Sequence, residues 1–163
     1  MIEQTILVWI HLIAASIWVG GSLFLGVVLA PLLKTMYTST EERIRIMIIV
    51  GRRFNKFAIP ALLILIGTGL YKAYPILKNT DLVFSSDYGN ILLIKIIVVI
   101  ILLIIYGLHI RVIRKKVEND IMSGNMSKLQ LQKLRKKIII LGEVVVVLSL
   151  VILFLAAVLD SGL

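Results

Sequence analysis

Four stretches of this chain, at residues 6–33, 57–77, 91–110 and 138–159, are almost purely apolar, and each is at least 20 residues long. A bilayer core about 30 Å thick is crossed by about 20 helical residues. The only formal charges inside the four runs are Lys72, Lys95 and Glu143. A segment in lipid must satisfy its own backbone hydrogen bonds, so each run is expected to be a helix. The chain is therefore predicted to be all-α, an integral membrane four-helix bundle running up-down-up-down. It reads as one domain over residues 1–163. The first run has no basic segment ahead of it and is too long for a secretory signal, so it is expected to remain as a span.

Composition agrees. Sixty per cent of the residues are hydrophobic, against about 45–50% in soluble domains. With so few charges a soluble fold could not cover its apolar surface, and disorder is excluded on the same ground. The absence of cysteine excludes a disulfide scaffold. The net charge of +9 is unevenly spread, because 15 of the 18 Lys and Arg residues fall in 34–56 and 111–137. The positive-inside rule then predicts a multi-pass protein of the cytoplasmic membrane, with loops one and three cytoplasmic and both termini outside. These basic residues lie beside the bilayer and lack interleaved aromatics, so the expected partner is the lipid bilayer and not nucleic acid.

Local signals refine the boundaries. Thr40-Glu41-Glu42 reads as a helix start that leads into the second span. Pro60 is placed to kink that span. Residues 79–89 are polar and turn-rich, and Gly124-Asn125 marks a turn between two basic helical extensions.

Ionisable residues within spans point to function. His11 lies about 9 Å into span one, and Lys95 about as far into span three from the same, outer side. His109 and Glu143 lie near the opposite end, where Glu143 is expected to pair with His109 or a nearby Arg. Lys95 is expected to meet Asp160 or Asp87 if it has no function. Lys95, Leu102 and His109, spaced by seven, share one face of span three with Tyr106. The two ends of that face are about 21 Å apart, too far for one small ion. In span one, Ser22, Gly26 and Ala30 form a small-residue ridge that admits a neighbouring helix. Gly20 and Gly21 leave a bare patch that could receive a flat macrocycle. Trp18 lies too deep for an interfacial belt and is expected in the core or against a cofactor.

The segment His11-Leu12-Ile13-Ala14-Ala15-Ser16-Ile17-Trp18-Val19-Gly20-Gly21, then Pro31, Arg52-Arg53-Phe54, Thr68-Gly69 and Tyr88-Gly89-Asn90-Ile91-Leu92-Leu93-Ile94-Lys95, follow one another in order. This series resembles the CopD-like copper-resistance membrane proteins over about residues 6–160. It is also similar to the haem-containing bacterial membrane protoporphyrinogen oxidases, whose first-helix His and third-helix Lys would fall on His11 and Lys95. Leu25-Gly26-Val27 lacks the arginine those oxidases carry there.

Two functions follow from these resemblances, and a third from the residues alone. The first is b-type haem binding near the outer face, for electron transfer or for oxidation of a tetrapyrrole or quinol. His11 would then be the iron ligand, Lys95 the opposite ligand or electrostatic partner, and Trp18 would pack on the ring. His109 would be a second metal-ligand candidate, with Glu143 and Tyr106 in support. The second is copper transport or copper resistance, resting on imidazoles, since the five methionines, including Met47, read as lying outside the spans. The third is a cofactor-free structural or partner-binding subunit. The haem reading is preferred on ligand chemistry, and a homo-oligomer or a membrane redox partner is compatible with it.

Overall fold

The computed structural model describes residues 2–162, with the side chains of 80 and 82 left aside. Four long helices dominate: α1 (Ile2–Met36), α2 (Thr40–Leu77), α4 (Asp87–Val112) and α6 (Lys128–Asp160). Two short ones, α3 (Thr80–Ser85) and α5 (Lys115–Met122), connect them, and the described residues contain no strand. Each long helix carries a window long and apolar enough to cross a membrane. The predicted all-α four-helix membrane bundle is the observed fold.

α2, α4 and α6 start where serine caps them, not where hydrophobicity begins. Ser39 accepts from the Glu42 N–H at 3.5 Å, and Ser86 from the Gly89 N–H at 3.0 Å. Ser127 and Gln130 form a reciprocal capping box at 3.3 and 2.8 Å. Much of the sequence read as loops is therefore helix. Only residues 37–39 separate α1 from α2. That break is closed by Arg43, whose guanidinium donates to the Tyr37 carbonyl at 2.5 Å and the Thr38 carbonyl at 3.2 Å. Gly124 takes a φ of 68° at the expected turn, a conformation that favours glycine.

Because the helices run on past the apolar windows, the basic end has its own core. Ile44, Ile48, Ile113, Ile121, Leu131 and Ile138 are buried together there. An Arg52–Glu118 ion pair ties α5 to α2 beside it. A second core, of Trp18, Ala58, Leu102, Tyr106 and Val145, lies within the spans. The outer surface of the spans is apolar. Phe57 is 68% exposed, Phe154 67% and Leu63 64%, a surface suited to lipid rather than water.

α2 runs through Pro60 and Pro75 as one continuous helix. α1 carries an irregularity the sequence did not mark, two π-helical segments at Ser16–Gly20 and Phe24–Leu29. Such segments insert an extra residue into the helical turn and recur at functional positions.

Candidate functional site

The polar residues of the spans form three layers. The first is at the end opposite the basic loops. Here His11 of α1 meets Thr68 of α2, with Nδ1 2.6 Å from the threonine Oγ1. The Thr68 hydroxyl has a single proton, and it lies 2.6 Å from the Ile64 carbonyl one turn back. That bond uses the proton, so Thr68 accepts from the His11 Nδ1–H. In that tautomer Nε2 keeps its lone pair, which is what a metal ligand needs. Hydrogen bonding of the far ring nitrogen is the usual way a protein orients an imidazole ligand. Lys72 and Lys95 both lie near this ring. Lys72 follows Thr68 by four residues and so shares its face of α2. Among the described residues neither lysine has an acidic partner, and the expected Lys95 pairing with Asp160 or Asp87 is not formed.

The middle layer is a plug. Trp18 is 3% exposed and donates its indole N–H to Ser149 Oγ at 2.9 Å. Ser149 in turn donates to the Val145 carbonyl at 2.7 Å. The Tyr106 ring stands edge-on to Trp18, with centroids 4.8 Å apart at 80°, a favoured aromatic geometry. The Tyr106 hydroxyl donates to Asn55 Oδ1 at 2.9 Å. Beside the plug, Gly21 is essential to the packing: a Cβ there would lie 2.2 Å from the Phe54 ring. Of the bare patch read as space for a macrocycle, that ring covers Gly21, whereas nothing lies within 4 Å of an ideal Cβ at Gly20.

The third layer is a cavity of about 400 Å³ between α1, α2, α4 and α6 at the basic end. Ser22, Gly26 and Ala30 line it, together with Tyr106, His109 and Glu143. Sequence placed His109 and Glu143 at one level, and the fold does bring both to this cavity. It does not pair them. Gly142 is the residue that faces His109, its ideal Cβ position lying 3.9–4.0 Å from the imidazole. Glu143 is rotated by about 100° from there and is exposed. It forms no ion pair among the described residues. The expected Glu143 pairing with His109 or an Arg is thus corrected by helix register. His109 is half-buried and has no hydrogen-bond partner among the described residues.

Sequence reading missed the companions of these residues. Thr68, Ser149 and Asn55 lie 57, 131 and 51 positions from the side chains they bond. Met47, read as outside the spans, sits on α2 and lines the same cavity as His109. Lys72 alone was findable, from its spacing to Thr68.

Fold and layers together define an integral membrane bundle with imidazoles near both ends and an aromatic plug between them. The family model for copper resistance protein D matches residues 48–159, and the chain belongs to the CopD copper-resistance family. The match covers most of α2, all of α4 and α6 up to residue 159; α1, with His11 and Trp18, lies outside it. The chain is also 29% identical over 108 residues to the copper transport protein CutJ of Bacillus subtilis (strain 168). That alignment covers 66% of this chain but 19% of CutJ, so the chain spans about a fifth of that relative's length. No solved structure matches the chain. These matches support the copper reading drawn from the sequence and lend none to the haem reading.

Proposed function

We propose that this protein handles copper ions in the membrane, taking them at the His11 end and passing them through the bundle. The observation that carries the reading is the CopD family match across three of the four spans. Imidazole is a competent copper ligand, and the Thr68 bond supports His11 Nε2 as the donor.

A conducting site must bind its ion, but not so tightly that the ion stays. His11 supplies the attraction. Lys72 and Lys95, which lie near the same ring, oppose retention of a cation and favour its release. Trp18 and Tyr106 close the way inward, so passage requires the plug to move. The π-helical turn Ser16–Gly20 that carries Trp18 is the segment with slack to let it do so. Beyond the plug, His109 and Met47 offer imidazole and thioether groups along the cavity wall.

A b-type haem at His11 is supported less well. The Trp18 N–H is engaged by Ser149, and Phe54 packs over Gly21.

The test is copper content in cells that express the chain, measured by mass spectrometry beside growth on copper. Expression is expected to shift cell copper, and His11→Ala to abolish the shift. An unchanged copper content, with a Soret band in the purified protein, would favour haem instead.

A further inference from the structure

The cavity at the basic end has features that copper handling leaves unexplained. Its walls are chiefly apolar, yet Lys34, Arg43 and Arg135 all border it. None of the three is ion-paired among the described residues. Lys34 closes α1, Arg43 opens α2, and Arg135 lies seven residues into α6, so the cations gather at the cavity's outer margin. Glu143, the one acidic group on the wall, is eight residues further along α6, about 12 Å deeper. An anion is therefore favoured at the margin and disfavoured further in. The interior between α1 and α6 is lined by Leu25, Gly26 and Val146. At Gly26 the nearest atom to an ideal Cβ is the Val146 methyl, at 3.7 Å. The slot is bare on the α1 side, without being clamped shut.

A cationic margin on an apolar slot, inside a membrane, fits a ligand that is anionic at one end and apolar along the rest. We propose that this cavity binds one anionic phospholipid from the leaflet at the basic end. Its phosphate lies among Lys34, Arg43 and Arg135, and one acyl chain runs between α1 and α6 over Gly26. Arg43 spends two N–H groups on the Tyr37 and Thr38 carbonyls and has others left for a phosphate. A free soluble anion would leave the apolar slot unfilled. A metal cation leaving the cavity by this margin passes three positive charges, which a bound phosphate offsets. The lipid thus partly offsets the charge at the margin. The proposal stands apart from the copper reading and survives its failure.

The purified full chain, in mixed micelles of neutral detergent with phosphatidylglycerol or phosphatidylcholine, tests this by native mass spectrometry. One phosphatidylglycerol per chain is expected to be retained, and phosphatidylcholine lost. Lys34→Gln with Arg135→Gln is expected to weaken retention about 30-fold, the effect of two surface cations. Gly26→Leu fills the slot with the margin intact and is expected to lose the lipid as well. Tryptophan fluorescence confirms folding of each variant. Equal retention of phosphatidylcholine would overturn the proposal. So would full retention in a folded Gly26→Leu protein, which means a surface-bound headgroup only. Displacement of the lipid by inorganic phosphate alone would overturn it too.

Discussion

The two histidines of this bundle look alike in sequence and differ in the fold. His11 lies more than a turn inside span one, and His109 lies in the last turn of the helix that forms span three. His11 is held by a half-buried neighbour, with its Nδ1–H given to Thr68 and Lys72 and Lys95 close by. His109 has no hydrogen-bond partner among the described residues and lies against Gly142 on the wall of a 400 Å³ cavity. One is set up as an oriented donor, the other as a loose lining group. The sequence offered His11 as the preferred ligand and His109 as a second metal-ligand candidate. Thr68 of α2 bonds the one and Gly142 of α6 lies against the other, which makes them unequal.

That contrast depends on the plug between them, and removing the plug is the strongest way to break it. Trp18→Ala deletes the Ser149 bond and the Tyr106 edge contact and leaves a void. It is expected to cost about 3–4 kcal/mol, read by denaturation in detergent. In liposomes it is also expected to let copper leak without control. Gly21→Val comes next. Its Cβ would overlap the Phe54 ring, and overpacking of this kind costs about 2 kcal/mol. The same variant with Phe54→Leu is expected to recover most of the melting temperature.

Thr68→Val sharpens the contrast at His11 alone. Loss of one hydrogen bond within a membrane bundle costs only about 1 kcal/mol. Loss of the group that orients a metal ligand weakens metal binding about 10–100-fold. Small destabilisation with a large fall in copper affinity is the expected pattern, measured on one preparation. The smallest effect is expected from Glu118→Gln, which breaks the Arg52 pair at the basic end. A partly exposed ion pair is worth about 1 kcal/mol or less, so copper binding at His11 should not change.

What was legible in the sequence follows from what a bilayer imposes. The four spans were readable because lipid tolerates so few charges, and the helix face shared by Lys95, Leu102, Tyr106 and His109 followed from a seven-residue spacing. Leu102 and Tyr106 are indeed buried on it. The long helical continuations at the basic end were only half visible. Ser39 and Ser127 are ordinary serines until their side chains are seen to accept from the following turn. The pairings were not visible at all. No local pattern links Trp18 to Ser149 across 131 residues. Nor does spacing reveal that Gly142 rather than Glu143 faces His109, since one residue of helical register decides it. The π-helical turns of α1 likewise carry no marker that apolar sequence shows.

The most direct test of the central claim, that His11 is the copper donor fixed by Thr68, is a Cu(I) equilibrium titration of the purified chain. It compares the native protein with His11→Ala and His109→Ala. One copper site that is lost in His11→Ala and largely kept in His109→Ala is the predicted result. An unaltered affinity in folded His11→Ala would contradict the claim.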